Sequence, residues 1–275
     1  MAAATSTPCT VRTLDGLRLA ATLDTPAEPT HHGALLVHGG GVTREEGGFF
    51  TRLAAGLAEA GVASLRLDLP GHGESQGRQE DLTFAALLNI VQVGLERLRT
   101  ETGGGPVSLV AASFSGGYSA YYPAMRPNEL SRLVLFNPLL DYKRRFIDEK
   151  PAWSSGQIDD KGAQLLLDQG YVGHGPTFRL GRPLLNDVFW FTPRSVLSEI
   201  TTPTLIVHGT KDTFIPVESS RQAAQSLTCK HRLFELDGAQ HGFAVHDDPT
   251  YADPQSQAWQ AEVIATTAEW LTTDH

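Results

Sequence analysis

The sequence has few cysteines and no long apolar segment, and both absences narrow its class. Cys9 and Cys229 are its two cysteines among 275 residues, far apart and outside any C-x-x-C pattern. Two isolated thiols fit a reducing compartment better than a disulfide framework. No run reaches the roughly 18 apolar residues that span a bilayer, and residues 1–12 lack the basic and apolar pattern of a signal peptide. We therefore expect a soluble, cytoplasmic protein with no membrane partner.

Patterns for nucleotides and metals are also missing. There is no G-x-x-x-x-G-K-[S/T] sequence, and no G-x-G-x-x-G occurs in a nucleotide-binding context. His241 and His246 are five residues apart and lack the H-E-x-x-H form of a zinc site. The formal net charge of -9 gives no reason to expect nucleic acid as a partner. The sequence thus predicts no cofactor, no metal and no nucleic acid.

Short apolar strands alternate with amphipathic helices along most of the chain. Strands are predicted at Ala34–Val37, Val62–Leu67, Val107–Ala111, Leu133–Phe136, Thr204–Val207 and Leu233–Leu236, after a hairpin around Asp15-Gly16. The main helices are predicted at Phe49–Ala60, Leu82–Leu98 and Trp259–Leu271. Continuous apolar strands between helices indicate an α/β fold, with a mostly parallel sheet covered by helices on both faces. Such sheets place their functional sites at the carboxyl ends of the strands.

Some sixty residues separate two of these strands, more than one return helix needs. We expect residues 139–200 to form a lid inserted over the site, while 1–138 and 201–275 form the core. The lid contains Phe189, Trp190 and Phe191, which either pack it onto the core or also line a substrate pocket. It also contains Lys143-Arg144-Arg145, which is either a solvated basic face or a dock for an acidic acyl carrier protein or a CoA phosphate.

A candidate nucleophile lies where the strand at Val107–Ala111 turns into a helix. A serine on such a tight strand-to-helix turn is lifted clear of the sheet, and small residues must flank it. Both Ser113 and Ser115 satisfy this requirement. Ser113 directly follows a strand of ordinary length, and Gly116 and Gly117 then lie within the helix, where it packs close to the sheet. We therefore predict Ser113 as the nucleophile, with Ser115 as the alternative; a helix-capping serine is the non-catalytic interpretation.

A serine hydroxyl needs an adjacent base, and the base needs a third group to orient it. Asp212 lies just past the end of the strand at Thr204–Val207, and His241 lies in the loop after the last strand. Serine, acid and histidine thus fall at one edge of the sheet in the chain order that this type of site uses. Asp141, which follows a neighbouring strand, is the alternative acid.

The glycines that follow His38 point to an oxyanion hole. Main-chain N–H groups there would face the negative charge that develops on a substrate carbonyl oxygen. We predict Gly40 and Phe114, the residue after the nucleophile, as the two donors. His38 itself, together with His72 and His208, is interpreted as structural.

Taken together, these stretches resemble the α/β-hydrolase family. The matching segments, in order, are Leu36–Gly40, Asp68–Ser75, the serine turn, His208–Asp212 and Gln240–Phe243. The match that they mark extends over nearly the whole chain except the lid. The second segment resembles the esterase branch related to bacterial feruloyl esterases. The serine turn more faintly resembles the acyl-ACP thioesterases of bacterial luminescence, because Ala111 and Ser115 replace the usual glycines.

The resemblance implies a cofactor-free serine hydrolase that cleaves a small-molecule ester or thioester through an acyl-enzyme. A carrier-protein or CoA thioesterase, or an acyltransferase, is the second interpretation. A non-catalytic binding protein on the same fold is the third.

Overall fold

The computed structural model describes residues 3–273. Its twelve strands are β1 Thr5–Arg12, β2 Arg18–Thr25, β3 Gly33–Val37, β4 Ala63–Leu67, β5 Val107–Ala112, β6 Leu133–Phe136, β7 Trp153–Ser154, β8 Gln157–Ile158, β9 Tyr171–His174, β10 Phe178–Gly181, β11 Thr204–Gly209 and β12 His231–Leu236. Its α-helices are α1 Phe49–Glu59, α2 Phe84–Glu101, α3 Ser115–Met125, α4 Asp160–Gln169, α5 Arg182–Asp187, α6 Glu218–Ser226 and α7 Pro254–Thr272. The predicted strands and helices are thus present, with end points shifted by a few residues.

Eight strands form one sheet in the order β1-β2-β4-β3-β5-β6-β11-β12. The six neighbouring strands β4, β3, β5, β6, β11 and β12 are parallel, and β1 and β2 add an antiparallel edge. β3, β5 and β6 are buried along their whole length, which explains their almost entirely apolar sequences. The predicted α/β-hydrolase architecture is therefore confirmed.

Helices cover both faces of this sheet. Buried side chains of α1 and α7 pack on one face, among them Phe50, Leu53 and Val263. Those of α2 and α3 pack on the other, among them Leu87 and Tyr118. This arrangement leaves the carboxyl ends of the parallel strands as the edge at which loops meet.

Two helix ends differ from the sequence prediction because a capping side chain sets them. α2 begins two residues later than expected, since the Thr83 hydroxyl accepts the Ala86 N–H at 3.0 Å. α7 begins five residues earlier than expected, since Asp253 accepts the Gln255 N–H at 2.7 Å and Pro254 occupies the first turn. Hydrophobic periodicity, on which the prediction relied, does not show these caps.

Residues 139–200 contain two short hairpins, β7-β8 and β9-β10, together with α4, α5 and two irregular helical turns. Phe146, Phe178, Leu180 and Leu184 of this segment join the core beneath α2 and α3. The segment therefore packs on the face of the sheet that α2 and α3 cover. The limits of the lid and of the core stay a prediction. None of the helices in residues 3–273 is long and apolar enough to cross a membrane.

Candidate active site

Ser113 occupies a sharp turn between β5 and α3. Its φ of +53° lies in the left-handed region, which a non-glycine residue adopts at a cost in free energy. The Ser113 N–H donates to the Phe136 carbonyl at 2.8 Å, and the Ser113 carbonyl accepts the Leu139 N–H at 2.9 Å. These bonds to the end of β6 and the residues after it hold the strained turn. The side chain is left half-buried at the carboxyl edge of the sheet.

Gly116 and Gly117 permit the close approach on which this turn depends. A Cβ on Gly116 would lie 2.4 Å from the Pro138 Cβ, and one on Gly117 would lie 2.6 Å from the Leu139 carbonyl oxygen. Any larger residue would push α3 away from the segment after β6. The two glycines therefore belong inside the helix, as the Ser113 register requires.

The structure brings Ser113, His241 and Asp212 into one hydrogen-bonded chain. His241 Nε2 lies 3.0 Å from the Ser113 Oγ, and His241 Nδ1 lies 2.6 Å from the Asp212 Oδ2. The three residues come from the ends of β5, β11 and β12. The bond to Asp212 places the proton on Nδ1 and leaves Nε2 free to accept the serine proton.

Asp212 is held as an ion in a buried position. Its Oδ1 accepts the Phe214 N–H at 2.8 Å and the Ile215 N–H at 2.9 Å. Burial alone would raise the pKa of this carboxyl, but hydrogen bonds from His208 and His241 hold the pKa well below its usual value. The carboxylate therefore stays charged over the neutral range and fixes the orientation of the imidazole.

The two alternative residues lie elsewhere. Ser115 is fully buried; its hydroxyl donates to the His38 carbonyl and lies 2.7 Å from the Tyr118 hydroxyl. Asp141 accepts the Arg144 N–H at 3.0 Å, at the surface. Neither makes a hydrogen bond to His241 among the described residues. The geometry therefore favours Ser113 and Asp212.

Side-chain hydrogen bonds fix the loop after β3 at several successive residues. The His38 carbonyl accepts from Ser115, and the Gly39 carbonyl lies 2.7 Å from the His38 Nδ1. The Gly41 N–H donates to the His72 Nε2 at 3.1 Å. Burial lowers the pKa of His38 to about 3, so the ring is neutral and can make its observed bonds. His38 and His72 thus act as structural braces of this loop, as the sequence predicted.

Gly40 and Phe114 carry the two predicted oxyanion donors, and both N–H groups are unpaired in the described part of the chain. Within residues 3–273, neither the Gly40 N–H nor the Phe114 N–H donates to a protein acceptor. Phe114 is buried and Gly40 is half-buried, and an unpaired main-chain N–H beside a proposed nucleophile is free to bind a substrate oxygen. The hydrogen bonds of the Gly39 carbonyl and the Gly41 N–H restrict rotation of the peptide that carries the Gly40 N–H.

Phe178, from β10, covers this loop. A Cβ on Gly40 would lie 2.6 Å from the Phe178 ring, and the Phe114 and Phe178 ring centres are 4.9 Å apart. The Phe146 ring lies 6.2 Å from that of Phe114. Together with Tyr142, whose ring lies 5.7 Å from that of Phe114, these side chains of the 139–200 segment form an aromatic cover next to the predicted oxyanion donors. Sequence reasoning did not single them out among that segment's many aromatic residues.

The three aromatic residues that the sequence analysis assigned to the substrate pocket lie away from the Phe114 ring. Trp190 is 86% exposed, Phe189 packs against Trp153, and Phe191 stacks on Phe84 with ring centres 4.2 Å apart. None of the three is a ring neighbour of Phe114. Their assignment to substrate binding stays a prediction without support from this geometry.

Another residue that the sequence analysis missed is Glu46, in the turn before α1. Its Oε2 accepts the Gly39 N–H at 2.7 Å, inside the glycine loop. The sequence shows only one of two adjacent glutamates in a loop, so no local signal could have identified it.

Comparison with known proteins identifies the family and the fold of the chain. The profile of the Alpha/beta hydrolase family matches residues 34–252. A monoglyceride lipase homolog of monkeypox virus is 23% identical over 224 residues, which cover 74% of this chain and 79% of that protein.

Solved structures show the same fold. Est1E from Butyrivibrio proteoclasticus, with bound ferulic acid, superposes with a TM-score of 0.74 at 20% identity, over 94% of this chain and 99% of that chain. The monoacylglycerol lipase of Paleococcus ferrophilus superposes with a TM-score of 0.65 at 23% identity, over 93% and 98%. The chain therefore belongs to the alpha/beta hydrolase family, as its sequence motifs predicted.

Proposed function

We propose that this protein hydrolyses carboxylic esters through an acyl-enzyme on Ser113. One observation carries the proposal: a half-buried serine at a strained turn is 3.0 Å from a histidine whose other nitrogen is 2.6 Å from a buried carboxylate. This arrangement activates a hydroxyl toward carbonyl carbon. The two unpaired N–H groups beside it support the same chemistry.

In the first step the Ser113 oxygen attacks the carbonyl carbon, and His241 Nε2 takes the hydroxyl proton. The Gly40 and Phe114 N–H groups stabilise the oxyanion, and Asp212 stabilises the imidazolium. Collapse of the tetrahedral intermediate breaks the bond to the leaving group, which departs as an alcohol with the proton from His241. Ser113 then carries the acyl group as an ester.

In the second step His241 removes a proton from water, which attacks the acyl-enzyme. The same donors bind the second oxyanion, and the Ser113 oxygen leaves with the proton that His241 returns. The products are the carboxylic acid and the free enzyme. No cofactor takes part in this sequence.

A cleft beside His241 would receive the leaving group. It has a volume of about 560 Å³ and is lined by Phe214, Gln240, His241 and Tyr251 among others. Because the leaving oxygen must approach the histidine that protonates it, the alcohol part of the ester would lie on this side. The acyl part would then lie toward Phe178 and Phe146, whose rings are apolar.

A carrier-protein thioesterase is less well supported. In the structure two carboxylates neutralise part of the charge of the basic run 143–145: Lys143 lies 2.7 Å from Asp148, and Arg144 and Arg145 share Glu149. A dock for an acidic carrier would need cations that are not already paired. We therefore propose a small-molecule oxyester as substrate.

Steady-state turnover of a substrate panel tests the proposal. The panel contains p-nitrophenyl esters from C2 to C10, a monoacylglycerol, methyl ferulate and an acyl-CoA of matched chain length. The glyceride and the ferulate are included because of the proteins that resemble this chain. We expect oxyesters to be cleaved in preference to the thioester, and Ser113→Ala to lower kcat at least about 10³-fold.

Two outcomes would overturn the proposal. Turnover of no ester by a folded protein would favour a binding role on this fold. Equal turnover by the wild type and Ser113→Ala would remove Ser113 from the reaction.

A further inference from the structure

Glu46 lies beneath the oxyanion loop and has no part in the chemistry proposed above. Its Oε2 accepts the Gly39 N–H at 2.7 Å. A Cβ on Gly39 would lie 3.4 Å from the Glu46 Oε1 and 3.2 Å from the Ser113 Cβ. The carboxyl and the nucleophile therefore flank the same glycine, with nothing larger than hydrogen between them on that face.

The backbone takes an unusual conformation to place this carboxyl. Glu46 has a φ of +45°, and Gly47 and Gly48 continue in the left-handed region with φ of +63° and +91°. A left-handed glutamate costs free energy, which the surrounding contacts must offset. Burial also raises the pKa of the Glu46 carboxyl to about 7, which is a second cost when the group is ionised.

One side chain braces this turn against the histidine loop. A Cβ on Gly47 would lie 2.7 Å from the Tyr251 ring, and one on Gly242 would lie 2.3 Å from the Tyr251 hydroxyl. Gly242 directly follows His241. Tyr251 thus fills the space between the turn that carries Glu46 and the loop that carries the proposed base.

The groups that face Glu46 come from these same elements. They are His241, whose charge lowers the pKa of Glu46, and Tyr251, whose own pKa is raised by burial and then by Glu46. Arg52 of α1 lies behind Tyr251 and opposes that rise. Glu46 is therefore an acidic group that interacts electrostatically with the proposed base.

We propose that Glu46 is a positioning residue of the oxyanion hole, which fixes the direction of the Gly40 N–H by holding the preceding Gly39 N–H. Within the part of the chain that the structure describes, the other side-chain hydrogen bonds of residues 38–41 join a carbonyl to a hydroxyl or a ring nitrogen, or an N–H to an imidazole. Glu46 supplies the charged acceptor for this stretch, and Asp68 supplies another further along the loop, at the Arg44 N–H. The inference rests on the proposed ester hydrolysis, because it assigns the residue an effect on that reaction.

The proposal predicts a dependence on pH. A hydrogen bond to a carboxylate is roughly twice as strong as one to a neutral acid. When Glu46 takes up a proton, the loop is held less firmly and kcat falls. Below neutral pH this loss adds to the acid loss that remains in a variant unable to titrate at position 46, so the acid limb of log kcat against pH is steeper in the wild type than in Glu46→Gln.

Three variants separate this role from a structural one. Glu46→Gln keeps an oxygen for the Gly39 N–H but cannot titrate, and Glu46→Ala removes the acceptor. Glu45→Ala is the matched control, because it removes a neighbouring carboxylate that pairs with Arg66 on the other side of the turn. Turnover of p-nitrophenyl acetate is measured from pH 5 to 9, per active site titrated with a fluorophosphonate.

We expect Glu46→Ala to lower kcat about 10- to 100-fold, less than the loss of an oxyanion donor itself, with KM changed by less than about threefold. Glu46→Gln should recover most of that loss and show a less steep acid limb than the wild type. Glu45→Ala should keep the wild-type kcat and pH profile.

A kcat for Glu46→Ala within twofold of the Glu45→Ala value would overturn the inference. So would an unchanged acid limb in Glu46→Gln. Either result in an active wild-type enzyme leaves the proposed function standing, whereas a wild-type protein that cleaves no ester removes the proposed function first. If Glu46→Ala does not fold, Glu46→Gln and its pH profile decide the question.

Discussion

The replacement of Asp212 by asparagine tests how the proposed base is oriented. The Asp212 Oδ1 accepts two main-chain N–H groups, from Phe214 at 2.8 Å and Ile215 at 2.9 Å. In the variant, the amide oxygen must take this position, because an NH₂ there would face two donors. The amide NH₂ is then turned toward the His241 Nδ1.

This orientation forces the wrong tautomer of His241. An NH₂ donor beside Nδ1 requires Nδ1 to be unprotonated, so the neutral ring carries its proton on Nε2, which faces the Ser113 Oγ at 3.0 Å. The ring can then no longer accept the serine proton. In the general Ser-His-Asp template this change costs about 10⁴ in kcat, which corresponds to roughly 5 kcal/mol of barrier.

The measurement is kcat and KM for p-nitrophenyl acetate at pH 7.5, with melting temperatures to show that each protein is folded. Asp141→Asn is the matched control, because Asp141 was the alternative acid and its carboxyl lies at the surface near Arg194. We expect a fall of about 10³- to 10⁴-fold for Asp212→Asn and no change for the control. A fall of less than tenfold for Asp212→Asn, or a larger fall for Asp141→Asn, would refute the assignment.

Three further predictions concern the nucleophile, Glu46 and the lid. A fluorophosphonate should label the wild type and Ser115→Ala but not Ser113→Ala; peptide mass spectrometry that finds the label after Ser113→Ala would contradict the register. Since the folded pKa of Glu46 is about 7 and its usual value 4.5, the wild type should lose up to about 3 kcal/mol of unfolding free energy as pH rises through this window. Glu46→Gln should lack that loss, and urea unfolding at pH 4.5 and pH 8 measures it. An equal change in unfolding free energy between the two pH values in the wild type and in Glu46→Gln would contradict the buried titration. If the acyl chain lies against Phe178, kcat/KM should rise with acyl chain length, because each buried CH₂ contributes about 0.8 kcal/mol. Phe178→Ala should flatten that rise, while replacement of Trp190, which is 86% exposed, by alanine should leave it unchanged; the reverse result would restore Trp190 to the pocket.

Local patterns in the sequence were enough to predict the sheet and the order of the candidate residues along it. β3, β5 and β6 are buried on both sides and are therefore almost entirely apolar in sequence. Ser113 directly follows β5, and Asp212 and His241 lie in the loops after β11 and β12, so the parallel arrangement brings all three to one edge. Helix ends were predicted less well, because Thr83 and Asp253 act through single capping bonds that hydrophobic periodicity does not show.

The lid shows where local reasoning ends. Its aromatic residues look alike in the sequence, yet Phe178 packs on Gly40 whereas Trp190 points outward. The difference depends on the β9-β10 hairpin, which carries Phe178 across the glycine loop. No periodicity within the segment records which face of that hairpin meets the core.

Patterns in the sequence predicted the fold, the order in which the candidate residues follow their strands, and the glycines that a close-packed serine turn requires. The three-dimensional arrangement favours Ser113 over Ser115, because both satisfy the local pattern and only the fold buries one of them beneath His38. It also brought Glu46 to Gly39. The physical reason is the same in both cases: strand and turn preferences act over a few neighbouring residues, whereas a hydrogen bond between distant loops exists only once the sheet has brought them together.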